Sequence, residues 1–141
     1  MAGLRKSWKR HDAAEPGTYE MVLVDTSVWV SHLSKGDDRL AALLDKGAVC
    51  CHPFVIGELA CGKLKNRLEI ISLLRALPTA EVADHEEILT LIDNNLLMGK
   101  GLGYVDVHLL GSAVLSGISF WTADHRLARA ASALGVCYTQ I

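Results

Sequence analysis

The sequence predicts an α/β domain on a mainly parallel central sheet, and three observations predict it. Short apolar runs at residues 21–24, 48–51 and 118–122 are each followed by longer segments with apolar residues at helical spacing. No Asn-Gly or Asp-Gly pair separates two alternating runs, so nothing signals a hairpin, and strands that alternate with helices favour parallel pairing. At 141 residues, half of them hydrophobic, the chain is long enough for one domain with a sheet buried on both faces.

Met21-Val-Leu-Val24 is the first strand, a continuous apolar run that ends on Asp25-Thr26-Ser27. One of these three residues is expected to cap the helix over Val28 to Leu33, where Trp29 and Leu33 make an apolar i, i+4 pair. Gly36-Asp37-Asp38 breaks that helix, and Asp37 or Asp38 caps a second one with the stripe Leu40, Leu43, Leu44, closed by Lys46-Gly47. Ala48 to Cys51 reads as strand two, and Pro53 opens a helix through Val55, Ile56, Glu58, Leu59 and Cys61. Asn66 starts the next, through Leu68, Ile71, Leu74 and Leu77, with Pro78 as its stop. Glu81-Val82-Ala83 suits a third short strand, and Asp84 caps a helix through Ile88, Leu91, Ile92 and Leu96. Gly99-Lys-Gly-Leu-Gly103 is a loop, Tyr104 to Ser116 an apolar helix ended by Gly117, and Ile118 to Thr122 a strand. Asp124 to Leu134 is the last helix and Val136 to Tyr138 the last strand.

Residues 1–20 are polar and without period, and read as a flexible N-terminal extension to a domain at 21–141. They contain four basic against three acidic residues, so the net charge of −2 leaves −3 on the domain. Bulk positive charge is therefore not what would bring nucleic acid here; local basic patches or bound cations would have to. No apolar run approaches the roughly 18 residues of a membrane helix, and the start lacks the apolar core of a signal peptide, so a cytoplasmic protein with no membrane partner is expected. Cys50, Cys51, Cys61 and Cys137 form no C-x-x-C pair, which suits reduced, structural thiols, and the six histidines show no zinc spacing.

Four acids stand in apolar surroundings: Asp25, Glu58 within Phe54 to Cys61, Asp106 within Gly103 to Leu110, and Asp124 after Ile118 to Thr122. Desolvating a carboxylate costs several kcal/mol unless donors or a cation compensate. A cap or a surface position could satisfy each separately, but one shared site is more economical. Asp25 and Asp124 fall at strand ends, where the ligands of open α/β sheets sit, and Glu58 and Asp106 fall in early helical turns. No Lys or Arg is paired with each by local spacing, so a hard divalent cation, Mg2+ or Mn2+, is the natural counter-charge. An all-oxygen acidic site suits phosphodiester hydrolysis by activated water.

Val24-Asp25-Thr26-Ser27, Gly57-Glu58-Leu59, Gly101-Leu-Gly-Tyr-Val-Asp106 with Leu109-Leu110, and Thr122-Ala123-Asp124 occur in an order that resembles the PIN-domain nucleases. The likeness is greatest to the VapC-type toxin ribonucleases of bacterial toxin–antitoxin pairs, and it covers residues 21–141. It implies a three-layer α/β/α fold. It also implies that Asp25, Glu58, Asp106 and Asp124 take the family's catalytic, metal-binding positions, with Ser27 and Thr122 at its polar supporting positions. The activity implied is metal-dependent endoribonuclease cleavage, with structured RNA as substrate and a cognate antitoxin protein bound across the cleft. A homodimer is the expected assembly.

Lys63, Lys65 and Arg67 form the densest basic patch and, with Lys100, Arg126 and Arg129, could hold RNA phosphates; a solvated helix end is the plainer reading of the same residues. His108 and His125 flank the acids but are expected on the surface or in packing. A phosphoaspartyl phosphatase would want an aspartate two residues after Asp25, where Ser27 stands, and a receiver domain would want a lysine near the last strand, where none stands. A PIN-like domain that binds metal or RNA without cutting is the remaining alternative.

Overall fold

A computed structural model describes residues 20–139; residues 1–19, and with them nearly all of the expected extension, lie outside the described residues. The helix and strand order is β1 (Val22–Val24), α1 (Thr26–Lys35), α2 (Asp38–Asp45), β2 (Val49–Cys50), α3 (Pro53–Cys61), α4 (Arg67–Ala76), α5 (His85–Asn94), α6 (Tyr104–Ser116), β3 (Ser119–Trp121) and α7 (His125–Ala133). The sheet runs β2-β1-β3 and is parallel throughout, with Leu23 opposite Cys50 on one side and Phe120 on the other. Val22, Leu23 and Val24 are fully buried, as a central strand covered by helices on both faces must be.

The helix ends follow local chemistry. Asp25 caps α1, Asp37 caps α2, and Asp84 with Glu87 forms a reciprocal capping box on α5. Gly117 ends α6 in the left-handed conformation that glycine adopts without strain. Asn66 precedes α4, also left-handed, but its side chain makes no capping bond.

Two expectations need correction. Glu81–Ala83 is not a strand: the chain meets the sheet earlier, where Thr79 bridges Cys51, the Cys51 N–H donates to the Pro78 carbonyl (2.8 Å) and the Ala80 N–H to the Cys51 carbonyl (2.9 Å). From residue 81 the backbone turns to α6 instead, its N–H donating to Ser116 Oγ. The expected last strand at 136–138 is likewise one parallel bridge, Cys137 to Phe120. Among the described residues the sheet is thus three strands wide, with a single-residue bridge along each edge. Glu20, at the near end of the expected extension, accepts a hydrogen bond from Ser119 Oγ on β3.

Candidate active site

Asp25 leaves β1 at its carboxyl end and is 6 % exposed. Its Oδ2 accepts from Ser27 Oγ (2.6 Å), from Thr122 Oγ1 (2.8 Å) and, at the long end of the range, from the Ser27 N–H (3.4 Å). Each hydroxyl spends its one proton on Asp25 and then accepts a backbone N–H: Ser27 Oγ that of Ala123 (3.0 Å), Thr122 Oγ1 that of Asp124 (3.1 Å). The ends of β1 and β3 are therefore stitched together through one carboxylate. Asp124 then caps α7, its Oδ1 accepting from the Arg126 and Leu127 N–H groups at 2.9 and 3.3 Å.

The other two acids ride on helices. Glu58 lies in the second turn of α3, exposed, and its Oε1 accepts from Thr26 Oγ1 at 2.7 Å, which ties it to the residue beside Asp25. Asp106 lies in the first turn of α6, half-buried, and its Oδ2 accepts the Gly103 N–H at 2.9 Å. The structure thus joins Asp25, Ser27, Thr122, Asp124 and, through Thr26, Glu58 in one run of bonds or neighbouring residues. Asp106 makes no direct bond to that run.

Between α3 and α6 lies a partly buried aromatic group. His52 is fully buried and caps α3, its Nδ1 accepting the Phe54 N–H at 2.9 Å. His108, 4 % exposed, packs its ring on Phe54 and Tyr104, with centroids 4.8 and 4.6 Å away, and faces His52 at 6.5 Å. Burial, with a smaller contribution from His108, pushes His52 down to about 4. Burial also lowers His108, helped by His85. Of the two expected outcomes for His108, packing is the one found; His125 is exposed. The four cysteines are free, and burial pushes Cys51 up to about 11.

The donor chemistry of the four acids fits a hard cation. Among the described residues, one oxygen of each is held by a protein donor, the other has no protein partner, and none of the four is in an ion pair. Among those residues, however, no three His, Cys, Asp or Glu side chains are already gathered to hold a metal ion.

The basic residues separate into two places. Lys63 and Lys65 line a groove of about 620 Å³ beside Glu58, with Val30, Leu33 and Ile70. Arg126, Lys100 and Arg129 line a different cavity of about 460 Å³, with no lining residue in common, and Arg67 lines neither. Sequence reading named Thr26 and Gly101 only as members of motifs, without their contacts, and it missed His52, whose signal is a polar residue directly before a helix-opening proline.

A parallel sheet carries acids at its strand ends and on two flanking helices, and the chain belongs to the PIN-domain family, whose profile matches residues 22–133. Within that family it is of VapC type. Ribonuclease VapC32 of Mycobacterium tuberculosis, from strains CDC 1551 / Oshkosh and ATCC 25618 / H37Rv, is 46 % identical over 121 residues, which is 85 % of this chain and 98 % of the relative.

Proposed function

We propose that this chain is a metal-dependent endoribonuclease, the toxin of a toxin–antitoxin pair, with Asp25, Glu58, Asp106 and Asp124 as the residues that hold Mg2+ or Mn2+. The observation that carries the reading is the one-anchored, one-free pattern of all four carboxylates. The relatives' name, ribonuclease, supports the reaction class. A divalent cation bound there supplies Lewis-acid activation of water and neutralises charge building on the phosphate.

The chain's own residues do the rest. Ser27 and Thr122 fix Asp25 so that its free oxygen keeps one direction, as outer-sphere donors fix metal ligands generally. Thr26 holds Glu58 from the same turn. Asp25 is held by three hydrogen bonds, whereas Glu58 and Asp106 each hang on one.

Purified protein freed of any partner should cleave a structured RNA with Mg2+ or Mn2+ and stop on addition of EDTA. Cleavage undiminished by chelation removes the metal mechanism, and RNA binding without scission at any metal concentration selects the non-cutting alternative. The unit responsible is residues 21–141, so a truncation lacking 1–20 should retain activity. No helix among the described residues is long and apolar enough to cross a membrane. The reading places the protein in the cytoplasm, where its substrate would be.

The antitoxin would meet the acidic site with a basic segment, Arg being suited to carboxylates. The groove beside Glu58, where Val30 is 54 % exposed, supports an apolar anchor next to it. A homodimer belongs to the same reading, and light scattering that returns a monomer mass at high concentration rejects it.

A further inference from the structure

Lys100, Arg126 and Arg129 share a cavity of about 460 Å³ between the segment that joins α5 to α6 and the outer side of α7. The rest of its lining is Asn95 and apolar side chains, with no carboxylate, and none of the three cations is in an ion pair among the described residues. On a domain with net charge −3, three unpaired cations around one concavity repel one another and leave a local positive potential.

The arrangement is built rather than incidental. Gly101 holds φ +77, and a Cβ there would stand 2.7 Å from an Arg126 guanidinium nitrogen and 3.0 Å from its Cδ. The Arg126 side chain thus rests directly against Gly101, and a Cβ there would push its guanidinium end out of this position. Its backbone N–H is fixed as well, on Asp124 Oδ1. Two residues beyond Gly101, the Gly103 N–H holds Asp106. Arg126 therefore touches the loop that positions Asp106 from the turn that positions Asp124.

We propose that this cavity is a phosphate subsite for the RNA backbone, holding a phosphodiester to one side of the acids, with Arg126 as its fixed donor and Lys100 and Arg129 as its mobile ones. A guanidinium can donate two parallel hydrogen bonds to a phosphate, while the lysine acts as a point charge. The inference rests on the ribonuclease reading and names where that substrate is gripped. It also assigns the densest basic patch in the sequence, Lys63 to Arg67, to something other than this grip.

The test is binding without cleavage, by fluorescence anisotropy of a labelled RNA hairpin with the full chain in EDTA, across a salt series. Arg126→Gln and Arg129→Gln should each weaken binding about three- to tenfold and flatten the log Kd against log salt plot by about 0.7 per lost contact. Lys46→Gln, on the far cap of α2, should do neither. Gly101→Ala changes no charge, yet should weaken binding as Arg126→Gln does, and the double variant should be no worse than either single one. If Gly101→Ala does not fold, the two arginine variants decide alone. Unchanged affinity and slope in both of them overturn the subsite while leaving wild-type cleavage, and so the ribonuclease reading, intact. A wild type that neither binds nor cuts RNA overturns both. Thermal stabilisation by inorganic phosphate that needs Arg126, without any RNA binding, overturns the RNA assignment in favour of a small-anion site.

Discussion

The proposed site has two halves that are held in different ways. On the sheet side, Asp25 and Asp124 follow β1 and β3 and are joined through the Ser27 and Thr122 hydroxyls, which do not titrate in the physiological range. On the helix side, Glu58 and Asp106 each hang on one hydrogen bond and depend on where α3 and α6 sit. Those two helices meet over His52 and His108, buried groups that do titrate. The difference teaches where each kind of disturbance enters: chemistry at the strand ends is locked by the topology, and chemistry on the helices is exposed to whatever moves the helices.

The largest expected effect breaks both halves alike in activity and separates them in stability. Asp25→Asn and Asp106→Asn should each lose cleavage by at least about a hundredfold, the upper scale on which even outer-sphere partners of a metal act. In EDTA, Asp106→Asn should melt at or above wild type, because it relieves repulsion among the acids and its amide oxygen can still accept the Gly103 N–H. Asp25→Asn should lose about 1–2 kcal/mol, since a neutral amide oxygen replaces the charged acceptor of the Ser27 and Thr122 hydroxyls in a buried place. Added Mn2+ should raise the wild-type melting point more than that of Asp106→Asn. Thermal scans with EDTA and with a Mn2+ series check this; an Asp106→Asn protein much less stable than wild type would make Asp106 a structural residue.

Next come the supports. Ser27→Ala should reduce cleavage about 10- to 100-fold, because it removes a donor to Asp25 and an acceptor for Ala123 N–H together. Thr26→Val, which frees an exposed Glu58, should cost only a few-fold. Equal losses measured under single-turnover conditions would erase the distinction between the halves.

The third expectation concerns pH. His52 is neutral in the fold down to about pH 4, while in the unfolded chain it takes up its proton near 6.5. Its contribution is therefore complete above pH 6.5 and is lost as pH falls towards 4, by up to about 3 kcal/mol. The titratable group facing it is His108, which acts in the same direction. Urea titrations from pH 7 to 4 should show this decline, and His52→Asn, which keeps a capping side chain, should be less stable at pH 7 but flatter below it. A wild-type curve flat to pH 4.5 would remove the buried imidazole from the account.

The smallest effect lies outside both halves. Leu96 follows α5 with φ 53 and is 65 % exposed, so Leu96→Gly relieves left-handed strain at little cost in packing. About 0.5 kcal/mol of added stability with unchanged cleavage is expected.

What was legible in the sequence is what local chemistry dictates. The run ending at Asp25, the Asp84 capping box and the glycine after Ser116 all act within a few residues of one another, and the helices follow them. The single-residue bridges at Thr79 and Cys137 were misplaced or overdrawn because a strand of one residue has no period to read. The four acids could be picked out as candidates from their surroundings, but not the bond from Thr26 to Glu58, which spans 32 positions, nor the contact of Arg126 with Gly101. Those pairings exist only once the strands have been ordered.

The narrow sheet has a consequence for association. A wide, flat edge would offer another chain a row of free amides and carbonyls to copy, and with it a route to strand addition or fibrils. Among the described residues each border is closed by one bridge, so backbone templating has little to grip there. A protein that recognises this part of the chain would read its side chains, on helix faces and in grooves. Recognition of that kind can be tuned residue by residue, so closely related copies of such a domain in one cell could each keep a private partner.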